Sequence, residues 1–249
     1  MKETKDNFTV QSGQYARYRP TYPPGLFIYL ASLVNDKTMA WDCGTGNGQV
    51  AVELSKYFQQ VYATDISSAQ LEHATKAQNI QYIEGRAEQT AFPNNSFDLI
   101  TVAQAIHWFD FDAFYEEVRR TIKAGGILAI LGYGLLQIDE ETDRILGDFY
   151  SNTVGPYWDK ERKYLDEHYR TIPFPFEDLV TPVFEYDMEW TLETLAGYLD
   201  TWSAVQHYIR AMKQNPVTQF INKLEAIWPA GELKKVHFPI LLRVARIEK

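Results

Sequence analysis

The sequence predicts an α/β fold, a mostly parallel sheet with helices on both faces. Three observations carry that expectation. Short apolar runs recur near 40–43, 60–65, 80–84, 97–102 and 127–132 without polar alternation, which marks strands buried on both sides. Between them, apolar residues recur at helical spacing, as in Val50, Leu54, Tyr57 and Phe58, and again in Phe111, Phe114, Tyr115, Val118 and Ile122. Three glycines, Gly44, Gly46 and Gly48, alternate between the first strand and the first of these helices.

Size and composition set the bounds. The 249 residues suffice for one elaborated α/β domain or two small ones, and 45% hydrophobic residues supply a core. A net charge of −9 argues against a nucleic-acid or acidic-membrane partner, because both need surfaces of lysine and arginine. It leaves room for a small anionic substrate, which needs one or two local cations. Cys43 is the single cysteine, so an internal disulfide and a multi-cysteine zinc site are excluded, and no metal is expected. The polar start and the lack of any apolar run of about 18 residues lead us to expect a cytoplasmic protein without a membrane span. Monomer and homodimer both remain open.

The first segment carries Tyr15, Arg17, Tyr18, Arg19 and Tyr22 ahead of a proline pair. This cluster reads either as a binding lip or as a surface arm packing its rings on the core. A helix is expected over 26–33. The glycine turn then leaves a tight loop whose N–H groups face a ligand. A phosphate loop would need Gly-Lys-Ser or Gly-Lys-Thr, and no lysine stands near Gly48. A dinucleotide fingerprint would need glycine or alanine at 49, where Gln49 stands, which weakens a nicotinamide reading.

The second strand ends at Asp65, 17 positions after Gly48, where a carboxylate can accept from two neighbouring ribose hydroxyls. Ser67 and Gln70 open a helix expected to reach Ala77. The fourth strand runs into Gln104–Phe109, and a helix follows with Gly125-Gly126 as its expected stop. Asp65, the glycine turn, Ala87-Glu88 and Gln104–Phe109 all fall at carboxyl ends of strands, where open α/β sheets bind their ligands.

Asp42-x-Gly44-x-Gly46-x-Gly48 resembles the first motif of class I S-adenosylmethionine-dependent methyltransferases. Residues 88–98, with Phe92-Pro93 and Ser96-Phe97-Asp98, match that family's link between the third and fourth strands. Arg119–Gly126 matches its arginine, helix and Gly-Gly passage. Ala105–Phe109 and Thr201–Val205 further resemble the trans-aconitate methyltransferase-like subgroup. The likeness implies a Rossmann-like seven-stranded sheet whose last strand is antiparallel. It also implies S-adenosyl-L-methionine as cofactor, and methyl transfer to a small-molecule acceptor at a carboxylate or hydroxyl. Gly44 and Gly46 would lie beneath the methionine end, with Asp42 shaping the turn and Asp65 on the ribose. Ala87, Glu88, Gln104, Tyr15 and Arg19 complete the expected cofactor contacts. Arg86 departs from the pattern, standing where many members carry the acid that receives the adenine amino group. A nicotinamide oxidoreductase and a non-catalytic cofactor binder stand as alternatives.

The chain organisation expected is an N-terminal lid and first helix over 1–36, a cofactor-binding core over 37–134 and a cap insertion over 135–182. The rest of the sheet, with substrate-side helices, then takes 183–249. The insertion is rich in aromatic residues, among them Tyr157, Trp158 and Tyr164, and long inserts between strands are usually functional. One helix is expected over 192–212. His107, just past the fourth strand, is the candidate catalytic residue, as a general base or as an anchor for the acceptor. Arg19 is the cation expected to meet a carboxylate, on the acceptor or on the cofactor.

Overall fold

The computed structural model describes residues 18–249, so the expectation for Tyr15 falls outside the described residues. The strands are β1 (Met39–Cys43), β2 (Gln60–Asp65), β3 (Ile80–Glu84), β4 (Phe97–Ala103), β5 (Ile122–Tyr133), β6 (Glu185–Trp190) and β7 (Lys234–Ile247). They form one seven-stranded sheet in the order β3-β2-β1-β4-β5-β7-β6. β1 to β5 pair in parallel, and β7 runs antiparallel between β5 and β6. The order reverses between β1 and β4, which creates a crevice at their carboxyl ends.

The helices are α1 (Pro24–Ser32), α2 (Gln49–Leu54), α3 (Ser68–Glu72), α4 (Phe111–Thr121), α5 (Glu140–Asp148), α6 (Lys163–Asp166), α7 (Leu192–Asp200), α8 (Ser203–Met212) and α9 (Pro216–Leu224). Their apolar faces build two cores, one on each side of the sheet. Leu99, Ile127, Ala129 and Leu131 point into the first with α1, α2 and the C-terminal helices. Ile100, Val102, Leu128 and Ile130 point into the second, beside Phe114 and Tyr115 of α4. The absence of polar alternation in β4 and β5 follows from this two-sided burial.

Three expectations need correction. The helix expected to reach Ala77 stops at Glu72, and Thr75 instead donates its N–H to Asn47 O at 3.2 Å. Gly125-Gly126 does not stop α4, because Ile122 is already extended and the pair lies inside β5. Gly126 is required there by crowding: a Cβ would stand 3.2 Å from Asp98 O and 2.7 Å from Ile122 Cγ1. The helix expected over 192–212 is two helices, because Thr201 turns its hydroxyl onto Tyr198 O at 2.6 Å and Trp202 is extended. Pro239 sits where β7 changes partner, with 234–239 paired to β6 and 240–247 to β5. A missing N–H costs least at the end of a ladder.

The insertion leaves β5 and contributes to both cores. Leu146, Phe149 and Val154 join the first, and Leu165, Tyr169 and Ile172 join the second. After α5 the chain widens into a π-helical turn over Phe149–Thr153, a rare geometry that is frequent at functional sites.

Candidate functional site

The glycine turn is built from backbone. Gly44, Gly46 and Gly48 all take positive φ (67°, 55° and 85°), which other residues adopt only under strain. Gly48 has a second reason to be glycine, since a Cβ there would come within 2.1 Å of Tyr82 Oη. Thr45 N–H donates to Thr64 O at 2.9 Å, which ties the turn to the end of β2. Asp65, on that same strand end, accepts from Gly46 N–H through Oδ2 at 2.8 Å and from Ser67 N–H through Oδ1 at 2.9 Å. Each carboxylate oxygen has two lone pairs and can accept from more than one donor.

Beneath the turn, Asp42 is fully buried. Its Oδ2 accepts from Thr45 Oγ1 at 2.5 Å and its Oδ1 from Thr101 Oγ1 at 2.9 Å. Burial pushes its carboxyl up to about 6, against the opposing pull of those two hydroxyls. Asp42 therefore shapes the turn and also presents a carboxyl to the space above it.

That space is a cavity open to solvent, lined by Arg19, Asp42, Gly44, Gly46, Gln104 and Tyr133 among others. Gln104 stands in the left-handed region at φ 54°, with its N–H on Leu131 O at 2.9 Å and its Nε2 on Tyr133 O at 3.2 Å. Such a conformation costs about 1–3 kcal/mol and persists where the surroundings over-determine it. Arg19 is held from two sides, Nη1 on Tyr133 Oη at 3.1 Å and Nη2 on Thr201 O at 3.0 Å. The break between α7 and α8 frees the Thr201 carbonyl for this bond.

A second cavity shares Arg19 and Gln104 with the first. His107, Trp108, Trp158 and Trp202 line it, with Asp159 and Arg162. His107 lies in a 3-10 turn over Ile106–Trp108 and is 4% exposed, its ring 4.8 Å from Trp108. This turn leans on the glycine loop: a Cβ at Gly44 would stand 2.6 Å from Ala105 Cβ and 3.2 Å from Phe109 Cζ.

The structure thus gathers Arg19, Asp42, Gly44, Gly46 and Gln104 around one cavity, links Asp65 to Gly46, and sets His107 in the adjoining cavity. Ala87 and Glu88 line neither. Ala87 is buried in the second core, and Glu88 accepts from Asp110 N–H at 3.1 Å while its Oε2 stands 3.3 Å from Arg86 Nε. Arg86, the departure from the family pattern, has its acid two residues along the chain. Tyr133, Asp159 and Arg162 were missed as site residues; the only hint of Arg162 in the sequence is its place in the aromatic run between Trp158 and Tyr164.

The donors present suit the group the sequence implies. Three positive-φ glycines keep side chains off one floor, Asp65 stands at the strand end beside it, and a cation and a carboxyl share the first cavity.

The chain is similar to known methyltransferases. A methyltransferase-domain family matches residues 41–130. A protein of Dictyostelium discoideum described as a methyltransferase is 34% identical, covering 98% of this chain and 95% of that one. A protein of Mycobacterium tuberculosis described as an uncharacterized methyltransferase is 30% identical, covering 72% of this chain and 68% of that one. A solved structure from Anaeromyxobacter dehalogenans, described as a type II methyltransferase, superposes with TM-score 0.86 at 36% identity, over 93% of this chain and 99% of that one.

Proposed function

Because the chain belongs to the class I S-adenosylmethionine-dependent methyltransferase family, we propose that it methylates an oxygen, carboxylate or hydroxyl, of a small molecule held in the second cavity. The observation that carries this reading is that the two cavities share Arg19 and Gln104. Family membership sets aside the nicotinamide alternative, in line with Gln49 in the fingerprint position.

Bound S-adenosylmethionine supplies an electrophilic methyl on a sulfonium, and transfer forms a C–O bond while the C–S electron pair returns to sulfur. In this reading Gly44 and Gly46 hold the methionine end. Asp42 and Arg19 face its ammonium and carboxylate, and Asp65 receives the ribose hydroxyls. The backbone around Ala87 takes the adenine side, because the Glu88 carboxylate already serves Asp110 and Arg86.

The rest of the chain's task is placement. Orienting two reactants recovers roughly 7–11 kcal/mol of barrier, with no proton needed if the acceptor is an ionised carboxylate. His107 then anchors the acceptor and is not a base. For a hydroxyl acceptor the same imidazole is within the cavity to take the proton. The three tryptophans exclude water from the reacting atoms.

No helix among the described residues is long and apolar enough to cross a membrane, which fits a water-borne acceptor. The trans-aconitate-like resemblance at Ala105–Phe109 supports an acidic one.

The test is methyl transfer from labelled cofactor to a panel of small carboxylic acids, phenols, alcohols and amines. Label recovered as methyl ester or ether is the expected result, and label found only on nitrogen, or on no small molecule, would overturn the proposal. A kcat pH profile left unchanged by His107→Gln would remove His107 as a base.

A further inference from the structure

Arg162 ends a 3-10 turn over Lys160–Arg162, just before α6, and lines the second cavity. Its Nε donates to Tyr150 Oη at 2.8 Å and to Asp166 Oδ1 at 3.2 Å. The guanidinium lies 4.6 Å from the Trp158 ring centroid and 5.4 Å from that of Tyr150. One edge of the fork is therefore fixed and its face is stacked. Among the described residues, no acceptor meets Nη1 or Nη2.

The side chain is 17% exposed, and neither Nη atom is closed off from solvent in this residue of the cavity wall. Here the Nη pair is left for something that enters. Two N–H groups side by side match a carboxylate in bidentate geometry, a fit that a lone ammonium does not give. The other titratable groups on the cavity wall are Arg19, His107 and Asp159. Asp159 is the one carboxylate among them, and its Oδ2 stands 3.9 Å from His207 Nδ1. Among the described residues the wall thus carries two arginines against one acid, with Asp166 on the Nε side of Arg162. Trp108, Trp158 and Trp202 give the remaining wall a flat apolar character suited to a ring or an unsaturated chain.

We propose that Arg162 is the specificity-determining residue of the acceptor site, its Nη pair gripping a carboxylate of a small, flat, apolar acid. The inference rests on the second cavity being the acceptor site. Tyr150, carried by the π-helical turn, acts through Arg162 as a positioning residue that sets the fork.

The experiment measures binding, so it does not depend on knowing the natural acceptor. Protein saturated with S-adenosylhomocysteine is titrated with phenylacetate and 3-phenylpropanoate, and with their primary amides, by calorimetry and tryptophan fluorescence. Each acid should bind at least about tenfold tighter than its amide, the margin expected of a charge-assisted pair. Arg162→Gln should abolish that margin, and Tyr150→Phe should narrow it, while S-adenosylhomocysteine affinity in both variants stays within about twofold of wild type. Should Arg162→Gln fail to fold, Arg162→Lys replaces it and is expected to lose most of the margin, because the fork is gone and the charge is kept. Equal binding of acid and amide to the wild type, no binding of either acid, or an acid preference that survives these substitutions would overturn the inference. Methyl transfer to neutral acceptors in those cases would leave the proposed oxygen methylation standing and remove Arg162 alone.

Discussion

The two cavities meet at Arg19 and Gln104 yet are made of different material. The first is largely a backbone site: Gly44 and Gly46 in the left-handed region and a strained Gln104 line it, with Asp65 holding the Gly46 N–H from beside it. The second is a side-chain site, where Trp108, Trp158, Arg162 and Trp202 converge from three separated stretches of chain. Backbone sites tolerate almost no change at fixed positions. Side-chain sites can be rebuilt residue by residue without disturbing the fold, so one scaffold can keep its cofactor and change its acceptor.

Breaking the backbone side should give the largest effect. Gly44→Val forces a branched side chain into φ 67° and onto Ala105 and Phe109. Strain and overpacking together should cost about 3 kcal/mol of stability and eliminate cofactor binding, read by thermal unfolding and calorimetry.

Next comes a pH effect centred on Asp42. Its folded-state pKa of about 6 lies above the ordinary 3.8, so the folded protein holds a proton that the unfolded chain releases. The associated stability is complete below pH 4, falls as pH rises toward 6, and is gone above it. About two pKa units correspond to roughly 3 kcal/mol. Asp42→Asn cannot ionise, so the stability difference between variant and wild type should move in the variant's favour by that order between pH 4 and 6. Urea unfolding across that range measures it, and parallel curves would show that Asp42 is not the group responsible.

The smallest effect belongs to the side-chain region. Trp158→Ala removes an aromatic wall and the ring beneath Arg162. Acceptor KM should rise about tenfold, equivalent to 1.4 kcal/mol. The Kd for S-adenosylhomocysteine should stay within about twofold. A matching loss of cofactor affinity would mean that the two regions are not separable.

The same contrast explains what was legible in the sequence. Gly44, Gly46, Asp65 and the two-sided strands could be read because backbone geometry ties particular residues to fixed spacings. Arg162 could not, since its role depends on Tyr150, Trp158 and Asp166 converging through an irregular insertion without periodicity. Gly126 carried a misleading signal, because a glycine that relieves crowding against Asp98 O looks in sequence like a helix stop. The helix over 192–212 failed for a related reason. Apolar spacing continues through Thr201 and Trp202, and only the tertiary bond from Arg19 to the Thr201 carbonyl reveals a use for the break.

The central claim is that residues 42–65 hold S-adenosylmethionine through the glycine turn and Asp65. Calorimetric titration of S-adenosylhomocysteine into wild type and Asp65→Ala tests it most directly. Loss of two hydrogen bonds to a charged acceptor, at about 1.5 kcal/mol or more each, predicts a dissociation constant raised about a hundredfold or more. Equal affinity for the two proteins would contradict the account.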